Sequence, residues 1–297
     1  MKDTPSVSII IPTHKRPQLL PRAIDSVLAQ TFTDFEVIIV DDDPAGSAES
    51  AVRAYTDTRV HYVKNEGVHG GSAARNAGIR ASRAEYIAFL DDDDMWVPEK
   101  LETQIAVFKG VPSDVGFCVT GVRAVSEKGE VITHVEEGVH DFSEIALARF
   151  KGFLTITLFI RKSVFEDVGL FDEEMPSHQE AELIIRVTRK YRGLGIDKPL
   201  AIANMFKHEQ IGGNIFRRIQ GRLLVLEKHA GLYVIRPNAL AKHYFWLGLQ
   251  YRTVRQMATA RNYFWKAFLL AKNPRYAAHA LYVLLLGLFR TASADPV

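Results

Sequence analysis

A single cysteine, Cys118, occurs in the 297 residues. One thiol forms no internal disulfide and furnishes no cysteine-based zinc site. It lies inside the apolar run 115–119, which marks it as a buried bystander rather than a reactive group. Glycine-rich phosphate loops are missing too. No Gly-Lys-Ser/Thr follows an apolar run, which argues against P-loop phosphoryl transfer. The turn after the first apolar run, Pro12-Thr13-His14-Lys15-Arg16, contains no glycine, which argues against a dinucleotide-binding dehydrogenase. No Gly-x-Ser-x-Gly elbow is present, so α/β-hydrolase chemistry is not indicated. Long apolar runs are also absent. The stretch 276–289 spans 14 residues and includes His279, whereas a membrane-spanning helix needs about 20. Residues 1–6 are polar and lack the apolar core of a secretory leader. The expected location is therefore cytoplasmic.

Apolar residues at 47% and charged residues at 24% describe a chain that folds around a core rather than one that stays disordered. The formal charge of +2 conceals an asymmetry. Residues 211–297 hold 13 Lys/Arg but only two acids, Glu227 and Asp295, for a net +11, and the remainder carries −9. An acidic body with a basic tail points to an anionic surface or ligand for the tail.

Short apolar runs alternate with helical periods through the first hundred residues. The runs are 7–11, 35–40, 60–63 and 86–90. Helices are expected over 17–30, 48–55 and 72–81, with Ser72 as a cap for the last. This alternation predicts an α/β fold with a mostly parallel sheet covered on both faces. Further strands are expected at 115–122 and 154–160, and a helix at 179–191. From residue 215 strand signals vanish, and four helices are expected at 216–229, 239–251, 258–271 and 275–289. The reading divides the chain into a domain over 1–214 and a basic helical region over 215–297.

Three polar motifs directly follow three of the apolar runs: 12–16, Asp41-Asp42-Asp43, and Asp91-Asp92-Asp93-Asp94. In open α/β sheets, ligands bind outside the carboxyl ends of the strands, so the three motifs should meet in one crevice. Like charges ~4 Å apart repel by about 1 kcal/mol in water and about 4 kcal/mol near a protein surface. Four adjacent aspartates at the end of a buried strand therefore call for a cation. All-oxygen ligands suit Mg2+ or Mn2+, ions that commonly bring phosphate groups with them.

The runs Val7-Ser8-Ile9-Ile10-Ile11-Pro12-Thr13, Val40-Asp41-Asp42, Ala74-Arg75-Asn76-Ala77-Gly78 and Tyr86-Ile87-Ala88-Phe89-Leu90-Asp91-Asp92-Asp93-Asp94 resemble, in order and spacing, the family 2 glycosyltransferases of the GT-A fold. The resemblance covers about 100 residues and weakens towards residue 214. It implies a nucleotide-sugar enzyme, with a UDP-sugar as the expected donor. By position, Pro12, Thr13, Arg16, Asp41, Asp42, Arg75, Asp91 and Asp92 resemble the nucleotide-binding set. Asp93 matches the metal ligand, and His208 stands in a segment that closes over the donor in some members. Gln179-Glu180-Ala181-Glu182 through Arg186 fits the frame that carries the catalytic base, placing Glu180 where the family commonly has Asp. The implied reaction is an inverting, metal-dependent transfer to a hydroxyl of a glycan or lipid-linked acceptor, in the synthesis of surface polysaccharide. His178 is a candidate acceptor contact.

Two rivals come from other classes. A sugar-phosphate nucleotidyltransferase would carry a glycine-rich basic loop where residues 13–16 have no glycine. A non-catalytic carbohydrate- or membrane-binding module would be consistent with Glu in place of Asp at 180. The tail carries arginines among aromatics without a nucleic-acid motif. A membrane surface is the expected partner there, and nucleic acid is not.

Overall fold

The computed structural model describes residues 4–150, 152–205 and 214–292, with 286–292 given by backbone alone. The ten strands found there are β1 (Val7–Thr13), β2 (Phe35–Asp41), β3 (Val60–Lys64), β4 (Tyr86–Phe89), β5 (Met95–Trp96), β6 (Val115–Ser126), β7 (Gly129–Thr133), β8 (Gly138–His140), β9 (Phe159–Arg161) and β10 (Arg192–Asn204). They form one sheet in the order β3-β2-β1-β4-β9-β6-β10-β5, with β7 added to β6 and β8 to β10. The quartet β3-β2-β1-β4 is parallel throughout. In the second half β6 and β10 are parallel, while β5, β7, β8 and β9 join antiparallel.

The helices are α1 (Leu20–Leu28), α2 (Glu49–Arg53), α3 (Gly71–Ala81), α4 (Lys100–Phe108), α5 (Ser143–Ala148), α6 (Lys162–Val168), α7 (Gln179–Thr188), α8 (Ile215–Lys228), α9 (Ala230–Val234), α10 (Pro237–Thr253), α11 (Met257–Ala271) and α12 (Pro274–Ala292). The described residues fall into two compact units. One comprises those of Met1–Ser143, Lys151–Met175 and Gln179–His208 and holds the sheet. The other comprises Glu144–Phe150, Pro176–His178 and those of Glu209–Val297, and is helical.

The sheet unit is built on strands that read as continuous apolar runs because both faces are covered. Val7, Ile9, Ile11, Val37, Ile39, Ala88 and Leu90 lie in one core with Leu20, Ile24 and Val27 of α1. Cys118 is fully buried there, and burial pushes its thiol up to about 12, so it is an inert core group. Trp96 belongs to the same core, its indole N–H donating to the Ile156 carbonyl at 3.0 Å. The helical unit has its own small core of Ala260, Phe264, Ala280 and Val283.

Four expectations change. The run 154–160 is only half strand. Residues Thr155–Thr157 form a 3-10 turn whose carbonyls at Ile156 and Thr157 accept from Trp96 and Gln104 side chains instead of a ladder. Ser72 caps nothing: α3 starts at Gly71 after Gly70, whose φ of 138° suits glycine, and the Ser72 hydroxyl is buried without a hydrogen-bond partner. Strand β10 is the longest of the sheet, yet Gly193, Gly195 and Pro199 hide it in the sequence. Register shifts flank Pro199, where the ladder tolerates a missing donor. Among the described residues the helical region has five helices rather than four, with the short α9 as the addition.

Lys100 is the costly residue of this core. It is fully buried, donates to Gln104 Oε1 at 2.5 Å, and holds its ammonium 4.1 Å from the Trp96 ring centre. Burial pushes it down to about 7. Between that value and the ordinary one near 10.5, the unfolded chain binds a proton that the folded chain does not, so stability rises with pH across that window. Lys100→Met should stabilise the protein at pH 7 by about 1–4 kcal/mol, the range seen when buried charged groups give way to apolar ones. It should also flatten the rise between pH 7 and 10. Urea unfolding of both proteins at pH 7 and 9.5 checks both outcomes.

Candidate active site

The ladder between β1 and β4 stops at the pair Ile10–Phe89, with one further bond from Leu90 N to the Ile10 carbonyl. Beyond it the two chains are no longer paired to each other, and the strand order turns outward on either side. This is the position where α/β sheets hold ligands. Pro12 sits past the shared ladder, where its missing N–H costs no bond to β4.

Thr13 and Arg16 converge on Asp92. The Thr13 hydroxyl donates to Asp92 Oδ2 at 2.7 Å and Arg16 Nη2 to Oδ1 at 2.5 Å. Lys15 at φ 56° makes the turn between them. Arg16 Nη1 also lies 3.5 Å from Asp93. Asp92 is 1% exposed, and burial pushes it up to about 6 against the pull of Thr13 and Arg16. Asp94 is buried as well and accepts from Asn204 N at 2.7 Å. Burial, and after it the charges of Asp91 and Asp93, push Asp94 up to about 8.

The aspartates after β2 have separate jobs. Asp41 is fully buried and accepts from Ala48 N, Asp43 N and the Tyr62 hydroxyl, so both oxygens are engaged in shaping the loop into α2. Asp42 accepts from Asn65 Nδ2 and Gly70 N, each at 2.7 Å, and stands 3.3 Å from His69 Nδ1. It thereby ties the end of β2 to the loop before α3.

Helix α3 carries the motif 74–78. Arg75 Nη2 donates to Asp91 Oδ1 at 2.6 Å, and its Nη1 donates to Gln179 Oε1 at 3.1 Å and to the Gly71 carbonyl. Gln179 in turn donates to the Met175 carbonyl, so one guanidinium joins Asp91 to the first residue of α7. Asn76 exchanges two hydrogen bonds with the Phe171 backbone and donates to Glu173. Gly78 is required by contact: a Cβ there would stand 2.4 Å from Ile10 Cγ2. The motif thus encodes a salt bridge, a clasp and a close approach of helix to strand.

Glu180 follows Gln179 and is half-buried. Burial raises its carboxyl above the ordinary range, Arg75 opposes that rise, and Asp91 adds to it. Its neighbour Glu182 is occupied elsewhere, 3% exposed and clamped by Arg186 through contacts of 2.7–3.0 Å. Of the two acids in the frame, Glu180 is the one whose electrostatic neighbours are Arg75 and Asp91. His208 lies outside the described residues. His178 belongs to the helical unit. Sequence reasoning gave no role to Asn65, Asn76, Gln179 or Asp94; each side chain bonds a partner far along the chain, Asp42, Phe171, Arg75 and the Asn204 amide respectively, and no local spacing signals that.

The donor set fits a divalent cation. Asp91–Asp94 supply only hard oxygen ligands, and among the described residues two guanidinium groups face them; burial, and after it the charges of Asp91 and Asp93, push Asp94 upward. Among the described residues no three His, Cys, Asp or Glu side chains form a complete cage.

The model of the family described as Glycosyl transferase family 2 matches residues 8–166. The Escherichia coli enzyme named UDP-Glc:alpha-D-GlcNAc-diphosphoundecaprenol beta-1,3-glucosyltransferase WfgD is 37% identical over 101 residues, 34% of this chain and 40% of its own length. The chain spans about a third of the length of the first curated relatives it matches. S. aureus TarS 1-349 in complex with UDP-GlcNAc has a TM-score of 0.69 at 16% identity, over 92% of this chain and 83% of that one. The mannosyltransferase PcManGT from Pyrobaculum calidifontis in complex with GDP-Man and Mn2+ has a TM-score of 0.57 at 16% identity, over 100% of this chain and 77% of that one. These two likenesses speak for a shared GT-A-like fold. The family match covers more than half of the chain, including β1, β2, β4 and the acidic motif after β4, and the protein belongs to glycosyl transferase family 2.

Proposed function

We propose that the protein transfers a sugar from a nucleotide-sugar, with UDP-sugar as the donor class, to a hydroxyl of a glycan or lipid-linked acceptor, inverting the anomeric centre. One observation carries this reading. Arg75 bridges Asp91 at the end of β4 to Gln179 at the start of α7, so the donor-side acids and the Glu180 helix are fixed to one guanidinium. The named relative and the TarS complex support the donor class, and the PcManGT complex supports the cation.

The chain's own groups divide the work. Asp42, held by Asn65 and Gly70, is positioned to receive the base, with Asp41 shaping the loop beneath it. Pro12, Thr13, Arg16, Asp91 and Asp92 line the nucleotide and diphosphate side. Arg75 holds Asp91 in place. Asp93, with His208 as a further ligand, would hold Mn2+ or Mg2+, which neutralises charge on the departing nucleoside diphosphate. Glu180 removes the acceptor proton, and its raised pKa brings its basicity closer to that of an effective general base at neutral pH. Attack from the face opposite the leaving group inverts the sugar. Residues 1–214 carry this chemistry in the proposal, and 215–297 contact the membrane.

The basic region supports a surface role. No helix of the described residues is long and apolar enough to cross a membrane. On α11 and α12, Trp265, Leu269, Leu281, Tyr282 and Leu285 are exposed, as are Lys266, Lys272 and Arg275. Apolar side chains beside cations suit an anionic bilayer surface.

Four outcomes test these assignments. Calorimetric titration of UDP, GDP, dTDP and CDP, each with and without Mn2+, should show metal-dependent binding of UDP that Asp93→Ala abolishes. Binding of another diphosphate in its place would change the donor class. Glu180→Gln should leave UDP affinity within about twofold and lower kcat by at least 100-fold, the scale of a lost general base; near-native turnover would assign the proton to another group. The pH profile of kcat should fall as pH drops through the raised Glu180 pKa, because the base must be ionised. Asp91→Asn removes a like charge and releases Arg75, so at saturating donor this acid limb should move to lower pH. Co-sedimentation with phosphatidylglycerol vesicles should weaken several-fold between 0.05 and about 0.5 M salt, as screening requires.

A further inference from the structure

Among its described residues the helical unit contains a buried cation without an anion. Arg222 is 6% exposed, and its guanidinium lies between two aromatic rings, with the carbon 3.8 Å from the Trp246 centre and 4.4 Å from that of Phe150. Nη1 meets His243 Nδ1 at 2.6 Å, while the buried Nε has no hydrogen-bond partner. No carboxylate pairs with it among the described residues. One turn earlier on α8, Arg218 faces the same Trp246 ring at 5.3 Å. The His178 ring stands 5.1 Å from Phe150 and 6.1 Å from Trp246, and its buried Nε2 also has no partner.

Two arginines at i,i+4 on one helix repel each other. An unpaired buried guanidinium costs several kcal/mol unless a counter-ion is supplied. The surroundings sharpen the deficit: burial pushes Arg222 down to about 9, and burial together with Arg222 and Arg218 pushes His178 down to about 3. Arg218, His178 and Trp246 are only partly covered, which leaves an approach to the cluster. The described acids of this unit do not serve. Glu144 is taken by Arg236, and Glu227 is exposed on α8.

We propose that Arg222, Arg218 and His178 form a binding site for a phosphoryl group. A phosphoryl group carries about −1.5 to −2 charge near neutral pH and three acceptor oxygens. That matches two guanidiniums with no carboxylate partner among the described residues, and the unused Nε of Arg222 is a donor suited to forked recognition of phosphate oxygens. The rings of Trp246 and Phe150 hold the Arg222 plane in place, so little side-chain freedom is lost on binding. Every residue of the site belongs to the helical unit, and the proposal stands apart from the assignment of the donor crevice.

The test uses the full chain labelled with 15N and reads the indole resonance of Trp246, assigned with Trp246→Phe. Inorganic phosphate should shift it saturably. Arg222→Lys keeps the charge and loses the fork, and should weaken binding at least tenfold. Arg218→Gln, at a partly exposed position, should weaken it as well and keeps the test decisive where the buried substitution impairs folding. A second arm replaces free phosphate with phosphatidic-acid vesicles. A vesicle response lost in both variants assigns the phosphoryl group to a lipid headgroup. A response to free phosphate with none to vesicles assigns it to a soluble compound. No saturable shift in either arm, or shifts undiminished in both variants, overturns the proposal.

Discussion

Four consecutive carboxylates at the dry end of β4 are the constraint around which the sheet unit is arranged. Asp92 and Asp94 are buried, and both are pushed well above the ordinary carboxylate range. Such a cluster persists only where fixed partners offset it. Thr13 and Arg16 come from the end of β1, Arg75 from α3 and the Asn204 amide from β10. Each of these contacts also locates an element. The charge problem and the assembly of the crevice are therefore one piece of physics.

Arg75 extends that logic to the second half of the sheet unit. Its two terminal nitrogens are shared between Asp91 and Gln179, residues separated by 88 positions in the chain. A bridging guanidinium fixes both distance and orientation, which a lysine in its place does not. The proposed base is the next residue along α7. Its electrostatics are set by the same pair, Arg75 lowering and Asp91 raising the Glu180 carboxyl. In the proposed function, donor-side geometry and the basicity of Glu180 are thus coupled through Arg75. The helical unit shows the reverse situation, a cation-rich cluster whose counter-ion is not found among its own described acids.

Much of the first hundred residues is legible because apolar runs of five or six residues, each followed by a polar motif, leave few alternatives to a parallel sheet. The crevice at the strand ends follows from topology alone. Harder to see were β10, interrupted by Gly193, Gly195 and Pro199, and the turn Thr155–Thr157, whose carbonyls serve side chains. Ser72 illustrates a different limit. A cap signal one residue from the helix start is satisfied equally well by a glycine with positive φ.

Local sequence by itself determined the α/β alternation, the placement of Asp42 and Asp91–Asp94 at strand ends and of Arg75 within α3, and the charge split between body and tail. These depend on periodicity and composition, which act over a few residues. Tertiary structure alone decided which acids are free for chemistry and which are internal fasteners. Asp41 is consumed by the Ala48 and Asp43 amides and Tyr62, and Glu182 by Arg186, while Glu180 remains beside Arg75 and Asp91. The physical reason is that a carboxylate's role depends on burial and on the donors that reach it. Tyr62 and Arg75 reach Asp41 and Glu180 from segments that sequence proximity does not reveal.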